Sequence, residues 1–175
     1  MGERTRDESF MRQALYLAEE AGEAGEAPIG CVIVLGDRIV GQGKNSRETG
    51  KNALGHAEIA AIDQACRTLG GWRLWQCRLY VTLEPCPMCA GAIINARIPT
   101  VIYGTADPKA GAVDTKLRLF DLGFNHRPEV ISGVLEQECA AVLTGFFKKI
   151  RTRKRLEKQA EKTPKSAEKI DKTGD

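Results

Sequence analysis

Two cysteines three positions apart, Cys86 and Cys89, stand in the stretch VTLEPCPMCAGAI, with Pro85 directly before the first. Thiols at this spacing can form a redox disulfide, hold a structural zinc, or supply part of a catalytic metal site. A third ligand separates these readings. The chain has only two histidines, and one of them, His56, opens the tripeptide HAE at the head of an apolar-periodic segment. His56, Cys86 and Cys89 are one ligand short of a closed structural site, and an open fourth position marks a catalytic zinc. Such a metal lowers the pKa of water at that position, giving hydroxide near neutral pH. Glu58, two residues after His56, could take the water's proton and deliver it to a substrate, as general base and then general acid. Alone, a CxxC divides evenly among zinc, redox and packing roles, and an HxE says less. A structural zinc would need a fourth ligand from His126 or a stray cysteine, and nothing in their spacing recommends one.

These residues need elements to position them. Phe10, Ala14, Leu17, Ala18 and Ala21 fall at helical spacing over 8–22, and GEAGEAPIG stops that helix. IGCVIVL and RIVGQG read as a hairpin around a Gly-Asp turn, followed by the polar loop GKNSRETGKNALG. HAEIAAIDQACRTL is a helix ending at Gly70-Gly71. RLYVTL is a strand running into the helix PMCAGAIINA, and TVIYG is a fourth strand, followed by the loop DPKAGA. EVISGV is the fifth strand, and a closing helix runs from about Leu135 through Phe146 and Phe147 into the basic run KKIRTRKR. Strands alternating with helices predict a three-layer α/β/α domain around a mixed five-stranded sheet. The two cysteines then open a helix behind a strand, where negative charge is favoured, so both sulfurs are expected to ionise readily.

The 175 residues suffice for one domain with a sizeable core, drawn at 1–155, followed by a basic tail at 156–175. TPKSAEKIDKTGD, beyond Lys162, lacks apolar residues to pack and is expected to be disordered. No apolar run of membrane-spanning length exists, and the start MGERTRDESF does not resemble a secretory signal. Scattered cysteines with a single close pair do not form a disulfide framework, which points to the cytoplasm. The net charge of +3 conceals an asymmetry. Residues 148–175 hold 11 Lys and Arg against 5 Asp and Glu, leaving the remainder slightly acidic. A basic arm on an acidic body suits contact with a polyanion, and from charge alone a merely solvated tail is an equal reading.

The succession H-x-E then P-C-x-x-C is the known pattern of zinc base deaminases. On APIGCVIV, HAEI, GWRLWQC, LYVTLEPCPMCAGAI, ARIPTVIYG, DPKAGA, NHRPEV and ECAAVLTGFF, the chain resembles the cytidine deaminase superfamily, and within it the bacterial tRNA-specific adenosine deaminases, from about Ser9 to Arg155. The resemblance implies a cytidine-deaminase-like fold, one zinc per subunit, and deamination of adenosine to inosine at wobble position 34 of a tRNA anticodon. Attack at C6 of the adenine, protonation at N1 by Glu58 and departure of ammonia would follow. It implies further that Asn45 hydrogen-bonds the purine, though an Asn in such a loop is often a turn former. Asp107 would contact the neighbouring nucleotide or serve as a turn cap, and Lys109 would touch a phosphate or be solvated. Phe147 would stack or pack near a nucleotide, and Lys148, Lys149 and Arg151 would meet phosphates. Trp72 is expected in core or dimer packing. A homodimer acting on an arginine tRNA with an ACG anticodon is the family expectation. The turn NALG before His56, and Asp114 and Thr115 after the DPKAGA loop, depart from the family pattern. A deaminase of a free purine or pyrimidine, base or nucleoside, is the runner-up. A zinc-stabilised RNA-binding module would have no use for Glu58, and a thioredoxin-like protein would hold no metal.

Overall fold

The computed structural model describes residues 2–162. Helix α1 (Glu3–Glu23) precedes the hairpin of β1 (Gly30–Leu35) and β2 (Arg38–Lys44). Then come α2 (Ala57–Leu69), β3 (Cys77–Leu83), α3 (Pro87–Ala96) and β4 (Thr100–Thr105). A 3-10 turn at Leu119–Asp121, β5 (Glu129–Ser132) and α4 (Glu136–Lys162) complete the described chain. The sheet order is β2-β1-β3-β4-β5, with β1 antiparallel to both neighbours and β3, β4 and β5 parallel. The sheet is mixed and five-stranded, as expected.

Alternation along the strands sorts the core into two halves. Cys31, Ile33, Leu79, Val81 and Val101 pack under Ala57, Ala61 and Ala65 of α2 and Ala90 and Ile93 of α3. Val32, Val34, Tyr80 and Ile102 face the opposite way, against Met11, Ala14 and Leu15 of α1 and Cys139 and Val142 of α4. Because β1 opposes both β2 and β3, those two strands run in one direction. The helices that follow them therefore both begin at the same end of the sheet. On β2 the helix comes very close: a Cβ on Gly41 or Gly43 would lie 2.2 Å from the carbonyl oxygen of Ala61 or Ala57.

Two boundaries differ from the sequence reading. Helix α1 starts at Glu3 rather than near residue 8. Its polar first turns are tied down by Arg6–Asp37 at 2.9 Å, Arg78–Glu3 at 3.1 Å, and Tyr80 Oη donating to buried Asp7 at 2.8 Å. Helix α4 continues to Lys162, so 156–162, assigned above to the tail, are helical. The segment is rich in helix formers, and Arg153–Glu157 pairs at i,i+4. The tail expectation beyond Lys162 lies outside the described residues. Among the described residues, no helix is long and apolar enough to cross a membrane.

Candidate active site

His56 and Cys86 occupy equivalent places: each is the N-cap of its helix, extended in backbone, at the common end of the sheet. Pro87 fills the first helical position of α3, where its missing N–H is no loss. Cys89 follows one turn in and is fully buried. His56 Nδ1 lies 3.6 Å from Cys86 Sγ and 3.5 Å from Cys89 Sγ, and all three ligand atoms fall within 4.8 Å of one another. Tetrahedral zinc with Zn–S near 2.3 Å and Zn–N near 2.0–2.1 Å sets its N and S ligands about 3.6 Å apart. Donor types and spacing both fit that ion.

The two sulfurs do not share one ionisation state. Cys86 is pulled down to about 5, first by the hydrogen bond from the Cys89 thiol, against burial, with help from the N–H groups of Cys89 and Met88 and from His56. Cys89 moves far upward: its hydrogen bond to Cys86 and its burial favour the thiol, and Glu58 adds negative charge. This corrects the expectation that both ionise readily. Without a cation the helix end favours one thiolate; a zinc ion held by His56, Cys86 and Cys89 would stabilise the second thiolate in place of its proton. Glu58 is 4% exposed, and burial is the main cause that carries its carboxyl up to about 7. A carboxyl titrating there can both take and return a proton near neutral pH.

These groups open into a cavity of about 190 Å³, whose wall includes Ile29, Asn45, Arg47, Leu83 and Asp107. The volume is below the roughly 300–1,000 Å³ of drug-sized ligand sites and suits a single base. Each side wall hangs from a buried carboxylate that sequence reading missed. Glu26, 1% exposed, accepts Asn45 Nδ2 at 3.3 Å and the N–H groups of Glu48 at 3.1 Å and Thr49 at 2.6 Å. Burial raises its pKa, but the Thr49 and Glu48 hydrogen bonds outweigh that and hold the carboxyl below its ordinary range. Glu84, 2% exposed, accepts the N–H groups of Asp107, Val113, Asp114 and Thr115 at 2.8–3.1 Å, and the Thr115 hydroxyl. Asp114 also takes the Tyr103 hydroxyl at 2.7 Å. The two departures noted in the sequence, Asp114 and Thr115, are thus part of the fastening of this loop. An acid closing an apolar strand just before a ligand was a usable signal for Glu84; Glu26 carried none.

The MafB19-like deaminase family matches residues 5–151. A tRNA-specific adenosine deaminase of Bacillus subtilis (strain 168) is 47% identical over 152 residues, 86% of this chain and 94% of that protein. The chain belongs to the tRNA-specific adenosine deaminases. A solved structure from studies of A-to-I editing by tRNA:A34 deaminases at the wobble position is also 47% identical. It matches with a TM-score of 0.75, over 77% of this chain and 99% of its own. A guanine deaminase from Bacillus subtilis stands further off, at 34% identity and a TM-score of 0.55, over 67% of this chain and 83% of its own.

In this adenosine deaminase the remaining sequence-predicted residues fall into two groups. Asn45, 8% exposed, and Asp107 line the cavity beside His56 and Glu58. Asp107 Oδ1 also accepts the Lys109 N–H at 2.9 Å, so it caps its own turn. Lys109 is exposed and outside the cavity lining. Phe147, 44% exposed, meets half-buried Phe146 edge-on at 5.4 Å. Lys148, Lys149 and Arg151 are exposed on α4. Lys149 lines a groove between α4 and the end of α1 that also includes Pro28, the residue before Ile29 of the cavity wall. Trp72 is not core: it is 52% exposed, with the Arg73 guanidinium 4.0 Å over its ring. In the NALG turn, a Cβ on Gly55 would lie 3.1 Å from Arg47 N and Asn52 O, so glycine lets the loop close on itself.

Proposed function

We propose that this deaminase converts adenosine to inosine at wobble position 34 of a tRNA anticodon, with one zinc held by His56, Cys86 and Cys89. The observation that carries the reading is the open three-ligand group with a buried carboxyl, Glu58, beside it in a base-sized cavity. When bound, zinc supplies the Lewis acidity that makes water nucleophilic near neutral pH. Glu58 accepts a proton from the attacking water and hands it to N1 of the adenine as oxygen adds to C6. Glu58 then takes the remaining hydroxyl proton and delivers it to N6; the C6–N6 bond breaks, ammonia leaves, and inosine keeps the oxygen at C6 and the proton at N1. Asn45 holds the purine in the cavity, and Asp107 meets the neighbouring nucleotide. A base must be swung out of its stack to enter, which an anticodon loop allows. Lys149 sits in the groove beside the cavity wall, and with Lys148, Arg151 and Lys109 it provides cations for the flanking phosphates. Phe147 offers an exposed ring to a nucleotide. The resemblance adds a homodimer, an arginine tRNA with an ACG anticodon, and a cytoplasmic setting.

The likeness to guanine deaminase favours a second reading, turnover of a free base. One experiment decides between them. Zinc-loaded protein is given an anticodon stem-loop with wobble adenosine and, in parallel, free adenosine, guanine and cytidine, and products are read by mass spectrometry. Inosine only in the stem-loop supports the tRNA reading; turnover only of a free base or nucleoside overturns it. Glu58→Gln is expected to lower the rate at least about a hundredfold with metal retained, the scale of a lost acid–base group. An unchanged rate would remove Glu58 from the mechanism.

A further inference from the structure

Asn45 does not orient its own amide. Its backbone N–H is fixed to Ile29 O at 3.0 Å, and its Nδ2 donates to Glu26 Oε2. Among the described residues no hydrogen bond reaches Asn45 Oδ1. Glu26 in turn is held at the end of α1, its N–H bonded to Ala21 O at 2.9 Å after Gly25 turns the chain at φ +84°. An amide can present either end to a neighbour, but an ionised carboxylate only accepts. The depressed pKa of Glu26 keeps it in that form.

Resting on the deaminase reading above, we infer that Glu26 is a positioning residue for substrate recognition: it fixes the rotamer of Asn45 so that Oδ1 and one unspent N–H face the cavity. That pair of groups complements an adjacent amine and ring nitrogen, the pattern on an adenine edge. Reversing the amide would set Nδ2 toward the base and place donor against donor. The role lies outside the metal centre and outside proton transfer, and Glu26 itself does not line the cavity.

The test is an exchange of polarity. In Glu26→Gln, the short bond from Thr49 N–H keeps an oxygen at the Oε1 place and turns the new NH₂ toward Asn45, which must reverse. In Asn45→Asp, two carboxylates confront each other. In the double variant, the new amide at position 26 donates to the new carboxylate at position 45, which again shows the cavity an oxygen. Each single variant is expected to lose about tenfold or more in kcat/KM on the wobble-adenosine stem-loop, the scale of one substrate hydrogen bond. The double variant restores the oxygen but not the N–H that faces the ring nitrogen, so it regains part of that loss, while keeping the lower Tm of Glu26→Gln, because the Glu48 N–H stays unpaired. Zinc content stays at one per chain throughout. A merely structural Glu26 predicts that activity follows Tm, so a double variant no better than the worse single overturns the proposal. So does a Glu26→Gln enzyme within twofold of wild type. If the wild type ignores the stem-loop but turns over a free base, the tRNA reading fails, and the same four proteins are compared on that base. If it turns over neither, ¹⁵N NMR decides: slow exchange of an Asn45 Nδ2 proton, lost in Glu26→Gln, supports the proposal, and its absence overturns it.

Discussion

Glu84→Gln tests whether a single buried carboxylate holds one wall of the cavity. In the native protein Oε1 collects the N–H groups of Val113, Asp114 and Thr115, and Oε2 collects Asp107 N–H and the Thr115 hydroxyl. Glutamine retains the first oxygen and turns its NH₂ toward the second group. The Thr115 hydroxyl can rotate and accept, but the Asp107 N–H cannot, so one buried donor is left facing another. That costs about 1–3 kcal/mol, and three remaining bonds fall from the charged to the neutral class, about 1 kcal/mol each. Relief from burying a charge offsets part of this, leaving about 3 kcal/mol. For a chain of this size that is a fall of roughly 6–12 °C in Tm. Thermal unfolding of the zinc-loaded protein reads the first effect, and limited trypsin digestion reads the second. New cleavage is expected at Lys109 and Lys116, while zinc stays bound, because its ligands sit on α2 and α3. A Tm within about 2 °C of wild type and no new cleavage at those lysines would refute the idea that Glu84 organises residues 107–115.

Other outcomes follow from the same geometry. His56→Ala and Cys86→Ser are expected to bind less than one zinc per chain and to lose deamination, measured by metal analysis beside activity; full metal content would mean the ion sits elsewhere. Reversing Lys148, Lys149 and Arg151 together to Glu should raise KM for the stem-loop at least about tenfold. It should also reduce the slope of log affinity against log salt by about 2, as expected for three phosphate contacts on a single strand. An unchanged slope would assign the arm to solvent. The stabilisation contributed by Glu26, wild type minus Glu26→Gln in urea, has a definite sign with pH. The folded carboxyl lies below its ordinary value of 4.5, so the difference is full above that value and disappears as pH falls through the folded one. A difference that grows on acidification would contradict the hydrogen bonding described here.

The metal group and the layering were legible because they are written in local pattern: H-x-E, P-C-x-x-C, and apolar residues at periods of two and 3.6. What escaped was everything assembled from distant segments. Glu26 meets backbone groups 22 and 23 residues away, and Glu84 meets a loop 23 to 31 residues on. A carboxylate whose partners are main-chain N–H groups leaves no complementary residue type for a reader to find. The early start of α1 was hidden for the same reason, since Glu3 and Asp7 find their cation, Arg78, on β3. The unequal thiols depend on how closely Cys86, Cys89 and Glu58 approach, which spacing alone does not give.

The glycines of β2 bear on the candidate site without touching it. His56 and Glu58 stand at the head of α2, and the two cysteines at the head of α3, so the gap between the two pairs depends on how deeply α2 is seated. Its seat is backbone against backbone: Gly43 leaves no room for even one methyl before the Ala57 carbonyl, at 2.2 Å where ordinary contact begins near 3.4 Å. A methyl there would lift the first turn of α2 by about an ångström and leave α3 where it is. The spacing of these four side chains is therefore gauged by atoms that are missing, and a side chain is excluded from two positions of β2 that lie outside the cavity lining.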